Sequence, residues 1–249
     1  MRACLRESYS ELSETCQTSL RQRMDARSNR DGRGEQRGAA AGAQAPAPQT
    51  MAYGADPLQA LDLWVPQNAK PSPLVLFVHG GGWKRGSKNN AMGRAMPGHM
   101  LAQGYAFASI DYRLVPDATV EQQAGDVAAA LAHLLERADA LSIDRTRVVL
   151  TGHSGGAHLV ALVGTDERYL RAVGLSFADV DGVMPNDGAA YDVTTQQANG
   201  PWIMRGTYEQ AFGTDPARQK ALSPTFHAAA PNAPAFLLLH VQRPDGVAQ

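Results

Sequence analysis

Four short, unbroken apolar runs stand out along the chain, at residues 74–78, 105–110, 148–150 and 235–241. Each is strand-sized and lacks polar alternation, the pattern of strands covered on both faces, as in parallel sheets. Between the second and third runs, residues 121–138 bring Val127, Leu131, Leu134, Leu135 and Ala138 onto one face at helical spacing, which predicts an amphipathic helix. Gly125 costs that helix about 1 kcal/mol relative to Ala and falls in its first turns. Repeated strand, helix, strand units require right-handed crossovers and predict an open, doubly wound, mostly parallel α/β sheet. Sites in that architecture form beyond the carboxyl ends of the strands. No internal repeat is present.

The chain has 249 residues with a formal net charge of −1, and residues 1–50 differ in kind from the rest. Residues 1–37 hold eight Arg, no Lys and six acids, and they lead into a tract of small residues and Pro with little apolar surface to bury. This predicts a disordered tail over 1–50 followed by one α/β domain over 51–249. The six acids and the missing apolar core before Ala43-Gln44-Ala45 argue against a secretory or transit signal, which favours the cytoplasm. Cys4 and Cys16 both lie in the tail, so any disulfide would close a short loop outside the domain. No run approaches the roughly 18 to 20 apolar residues of a bilayer span, so no membrane partner is expected. The domain carries 15 basic and 18 acidic residues and makes no phosphate-binding field, so nucleic acid is not expected either. No His, Cys or carboxylate cluster has metal-ligand spacing. Oligomeric state is not legible.

The chemistry concentrates at two predicted strand ends. After Val78 comes His79-Gly80-Gly81-Gly82-Trp83; after Leu150 comes Gly152-His153-Ser154-Gly155-Gly156. The second is a G-x-S-x-G between a strand and a small-residue segment able to enter a helix, the setting of a nucleophile elbow that projects a serine hydroxyl from the sheet. With 24 Gly in the chain, a G-x-S-x-G arises by chance about one time in ten, so alone it decides little. Its pairing with H-G-G-G after a second apolar strand is far rarer and fits one mechanism. A tetrahedral intermediate needs backbone N–H donors on its oxyanion, and a Gly run lets the chain approach unobstructed. Ser154 is therefore the candidate nucleophile, and Gly81, Gly82 and Gly155 are the candidate oxyanion donors. A helix starting after Ser154 adds its positive end to the same field.

Together with Asp111-Tyr112-Arg113-Leu114 and Pro116, the HGGGW and GHSGGAH motifs resemble the α/β-hydrolase esterases grouped with hormone-sensitive lipase and the bacterial feruloyl and acetylxylan esterases, the BD-FAE-like group. The resemblance runs from about Leu61 to the end. It implies an α/β-hydrolase fold and a serine carboxylesterase that needs no cofactor and takes a small-molecule ester. GHSGGAH departs from the GDSAGG of the lipase-like branch and lies closer to the feruloyl-esterase and kynurenine-formamidase branches, so amide or formamide substrates stay open.

In this fold the triad runs Ser, acid, His. The acid is expected just past the strand at 235–241, where Asp245 stands in Arg243-Pro244-Asp245-Gly246; Asp187 and Asp192 rank second. No histidine follows Asp245. His227 and His240 are the last two, and structural roles are expected for both; His158 is expected to pack in a helix, and His79 to shape the glycine loop. His153 beside the nucleophile is expected to line the site. The last strand and helix implied by the resemblance are also missing, which would leave 235–241 as an apolar edge. Three explanations compete: a fragment of an active enzyme, which is favoured; a complete but catalytically dead binding homologue; or a base supplied from a rearranged position. Trp83 is expected as an acyl-pocket wall or as plain packing, Asp111 and Arg113 as a bracing pair, and Lys84, Arg85 and Lys88 as a solvated loop. Residues 188–224, with Trp202, Tyr208 and Phe212, are expected to form a lid-like insertion.

Overall fold

The computed structural model describes residues 45–67 and 70–241. In chain order the elements are β1 (Gln49–Ala52), β2 (Ala60–Trp64), β3 (Ser72–Val78), α1 (Ala91–Ala102), β4 (Ala106–Ile110), α2 (Val120–Glu136), β5 (Ile143–His153), α3 (Gly155–Thr165), α4 (Arg168–Arg171), β6 (Gly182–Asn186), α5 (Val193–Asn199), α6 (Arg205–Phe212) and α7 (Pro216–Ala221). The sheet order is β1-β2-β4-β3-β5-β6. The first two pairings are antiparallel, and those among β4, β3, β5 and β6 are parallel. This is the mostly parallel, doubly wound sheet that the apolar runs predict.

The runs at β3 and β4 are buried on both faces because helices cover both sides of the sheet. On one face, Met92, Met96, Met100 and Leu101 of α1 pack over Trp64, Val75, Phe77 and Phe107. On the other, Val127, Leu131, Leu134 and Leu135 of α2 and the wholly buried α3 join the main core. The helix predicted over 121–138 is α2, which starts in a capping box. Thr119 Oγ1 accepts from the Gln122 N–H at 3.3 Å, and Gln122 Oε1 accepts from the Thr119 N–H at 2.9 Å. Several elements gave no periodic signal, β2, β1 and α1 among them. In β2 the buried Asp62 interrupts the apolar pattern; β1 is a mostly exposed edge strand; and α1 carries Gly93 and Pro97 within the helix.

β5 begins five residues before its apolar run. That leading part is largely exposed and pairs with Ser72 and Pro73 ahead of an irregularity in the ladder. The run at 235–241 forms no continuous strand. It lies parallel to β6 through two isolated bridges, Val183 to Phe236 and Asn186 to Leu239. The Leu237 N–H donates to Val183 O and the Leu239 N–H to Pro185 O, both at 3.0 Å. Leu237, Leu238, Leu239 and Val241 are exposed there.

Two expectations about charged groups are corrected. Arg113 does not pair with Asp111; its guanidinium and backbone N–H clasp Asp126 of α2, with Nη2 at 2.6 Å from Oδ1. Lys88 is not in a solvated loop. Its ammonium lies 3.4 Å from the buried Asp62 and 3.8 Å from Asp111, while its backbone N–H donates to Asp111 Oδ1 at 2.6 Å. Thr50 Oγ1 donates to the same Asp62 at 2.6 Å. A buried carboxylate needs such partners to stay ionised at tolerable cost. Together they clamp the far end of the loop that starts at His79.

Candidate active site

Sheet register brings the two motifs together. Val78 pairs with Gly152, so the H-G-G-G run leaves β3 beside the turn that leaves β5. At that turn Ser154 adopts φ 55 and ψ −118, a left-handed conformation that costs a non-glycine residue about 1 to 3 kcal/mol and persists only where the surroundings enforce it. They do so by close backbone approach. A Cβ on Gly152 would stand 2.4 Å from Gly156 O, and one on Gly156 would stand 2.2 Å from Val78 O. The Ser154 N–H donates to Asn186 O at 3.1 Å, which ties the turn to β6. Ser154 is half-buried at the start of α3, whose N-terminal end faces the turn.

Gly82 and Gly155 meet at this point. A Cβ on Gly155 would stand 3.5 Å from Gly82 N and 3.3 Å from Trp83 N. The backbone N–H groups of Gly81, Gly82, Trp83 and Gly155 donate to no acceptor among the described residues. Three consecutive positive φ values, at Gly81, Gly82 and Trp83, coil the chain here. Such a concave group of unpaired donors beside a serine hydroxyl can bind an oxyanion. The Trp83 N–H belongs with the predicted donors, although the sequence points to Trp83 only through its ring.

That ring is 1 % exposed and belongs to the core, so of the two readings of Trp83 the structure shows packing. Its Nε1 donates to His158 Nδ1 at 3.3 Å, its edge meets Phe212 at 4.7 Å, and its carbonyl accepts from Gln123 Nε2 at 2.7 Å. His158 in turn donates from Nε2 to Leu222 O at 2.8 Å, which fixes the tautomer. Burial pushes its pKa down to about 4, so the ring is neutral and occupied. His79 is likewise buried and held below the usual histidine range by desolvation. Its Nδ1 donates to Gly80 O at 2.8 Å and its ring stacks on Tyr112 at 4.4 Å, an arrangement that shapes the glycine loop.

All seven histidines lie within the described residues, and none hydrogen-bonds the Ser154 hydroxyl. His153 is half-buried, with Nδ1 3.1 Å from where a Cβ on Gly80 would stand, so its ring borders the glycine loop. His227 caps Ala221 O at 2.9 Å and lies 4.0 Å from Asp166. Asp166 is at the far end of the 11-residue α3, about 16 Å from the turn. His240 is exposed, within the edge segment. Of the second-ranked acids, Asp192 is the N-cap of α5, accepting from the Thr195 N–H at 3.0 Å. Asp187 is bound to the edge segment through its N–H to Leu239 O at 2.6 Å. Asp245 lies outside the described residues.

One residue near the glycines carried no signal in the sequence. Thr207 of α6 projects Cγ2 to 2.8 Å from where a Cβ on Gly82 would stand. Only a contact map finds it, because 125 positions separate the two in the chain.

Comparison with known proteins places this geometry. The chain is 33 % identical over 210 residues to esterase LipC of Mycobacterium tuberculosis, covering 77 % of this chain and 49 % of that protein. It is 35 % identical over 114 residues to a probable isoprenylcysteine alpha-carbonyl methylesterase of Oryza sativa subsp. japonica, covering 45 % and 27 %. The chain thus spans about half or less of the length of these relatives. Among solved structures, esterase B of Lactobacillus rhamnosis superposes with a TM-score of 0.65 at 26 % identity, over 93 % of this chain and 74 % of that one. The family model of BD-FAE matches residues 61–248, a span that begins in β2 and takes in the glycine loop, the serine turn and the edge segment, and the chain belongs to the BD-FAE family.

Proposed function

We propose that the chain is a serine carboxylesterase. The observation that carries this reading is the left-handed Ser154 held against the unpaired amides of Gly82, Trp83 and Gly155. In the reaction, Ser154 Oγ bonds to the carbonyl carbon of a carboxylic ester while those amides, with Gly81, hold the oxyanion. The C–O bond to the alcohol then breaks, and the alcohol leaves with the proton given up by the serine. Water attacks the acyl-enzyme and releases the acid. The proton carrier is a histidine oriented by Asp245; no histidine among the described residues hydrogen-bonds the Ser154 hydroxyl. His153 borders the substrate. The esterase relatives favour esters over formamides.

The test is acylation. A fluorophosphonate probe and p-nitrophenyl acetate should label Ser154 and release nitrophenolate in the intact chain, with both signals lost in Ser154→Ala. With no described histidine hydrogen-bonded to the hydroxyl, tens of millimolar imidazole should accelerate the burst. Labelling that survives Ser154→Ala would discard the assignment, and no labelling with or without imidazole would favour a binding protein.

A further inference from the structure

Of the amides gathered beside Ser154, that of Trp83 alone comes from a residue with a side chain. Trp83 has φ 61, in the left-handed region that a bulky residue occupies only where its surroundings enforce it. Rotation about its N–Cα bond decides where the Trp83 N–H points, because the rest of the residue is fixed. The indole is buried, with Nε1 bonded to His158 and its edge against Phe212. The carbonyl accepts two hydrogen bonds, from the Val115 N–H at 3.1 Å and from Gln123 Nε2 at 2.7 Å.

Gln123 is an expensive way to fill its place in the core. It lies on the inner face of α2, 40 positions from Trp83, and is fully buried. Its Oε1 accepts from no group of the protein among the described residues. An apolar side chain of similar shape would avoid the desolvation of that amide, and the Trp83 carbonyl would still keep the Val115 donor. Packing alone therefore does not call for glutamine here. The helix that carries it is a firm anchor. One turn on, Asp126 is bonded by Arg113 and by Gln59 Nε2 at 2.8 Å, and two residues before it Glu121 is bonded by Arg218 at 2.7 and 2.8 Å.

Resting on the esterase reading above, we propose that Gln123 is a positioning residue for acyl transfer: its Nε2–H, reaching from α2 to the Trp83 carbonyl, holds Trp83 in the left-handed conformation and so aims the Trp83 N–H at the oxyanion. Gln123 touches no substrate and acts only through Trp83. The carbonyl oxygen of an ester gains its full charge in the tetrahedral intermediate, so a misaimed amide slows acylation and leaves ester binding nearly unchanged.

The experiment compares the full chain with Gln123→Met, which keeps the shape and removes the donor. With p-nitrophenyl acetate in imidazole buffer, we expect the burst rate constant at saturation to fall about tenfold or more and the half-saturating concentration to change less than about twofold. The urea midpoint should not fall, because the buried amide is gone. An unchanged burst, a loss confined to half-saturation, or a loss that tracks a lowered urea midpoint would each overturn the proposal. Gln123→Asn, whose amide stops one methylene short of the carbonyl, should reproduce the loss if the Met variant folds poorly. A second measurement needs no turnover. In the ¹⁵N-labelled chain, the backbone HN–Hα coupling of Trp83 should leave its left-handed value in either variant, while the amide resonances of Gly152 and Gly156 stay in place. An unmoved Trp83 coupling overturns the positioning role even in an active esterase. A moved coupling in a chain whose parent shows no burst retains the hold on Trp83 and rejects the esterase reading alone.

Discussion

The carboxyl ends of β3 and β5 and the segment at 235–241, which runs beside β6, are built in opposite ways. At the first, backbone packs on backbone. Gly156 abuts the Val78 carbonyl, Gly152 abuts Gly156, and the serine conformation follows from steric necessity. At the second, the chain follows β6 through a few main-chain hydrogen bonds with no continuous strand and turns Leu237, Leu238, Leu239 and Val241 to solvent. The candidate nucleophile and its amides are thus held by close main-chain packing, whereas the predicted acid follows a segment with an open, largely exposed face. A serine hydrolase site divides along this line, because oxyanion stabilisation needs only main chain, while proton transfer needs side chains delivered from separate strands.

Substitutions can break or sharpen the contrast. The largest effect is expected from Gly156→Ala. Its new methyl would meet Val78 O at 2.2 Å and His79 O at 2.5 Å, neither of which can move without shifting β3. A loss of about 4 kcal/mol or more is expected in urea unfolding, and a variant as stable as the parent would show that the packing at the turn is loose.

His158 should make the same region acid-sensitive. The folded ring is neutral with a pKa near 4, and the unfolded ring takes its proton near 6.5. Its contribution is therefore complete above about pH 6.5 and is lost as pH falls toward 4, by up to about 3 kcal/mol. Unfolding midpoints measured across that window should fall in the parent, and the decline should be shallower in His158→Asn, which starts from a lower stability. Parallel declines would remove the histidine from the account.

A smaller gain is expected away from the site. A Cβ on Gly125 of α2 would meet nothing within 4 Å, so Gly125→Ala should stabilise the chain by about 1 kcal/mol through helix propensity, read as a raised urea midpoint. The smallest effect belongs to the edge. Leu238 is 56 % exposed, and Leu238→Lys should change stability by less than about 0.5 kcal/mol while reducing self-association in light scattering. A large loss there would mean that the edge is covered in solution and would erase the contrast.

The features readable from the chain alone are those whose cause is local. The runs that became β3 and β4, the apolar face of α2, and the two glycine motifs follow from side-chain periodicity and from the steric demands of a tight turn, both of which act over a few residues. The strand containing Asp62 escaped because a single buried charge breaks its pattern, and that charge is tolerated only because Lys88, 26 positions away, comes to lie beside it. Folding likewise decided that Arg113 clasps Asp126, that the Trp83 indole turns inward while its N–H joins the amides, and that Thr207 reaches Gly82. Such pairings join residues far apart in sequence, and no short-range periodicity encodes them. They exist only once the sheet register and the packing of the helices have set which distant groups meet.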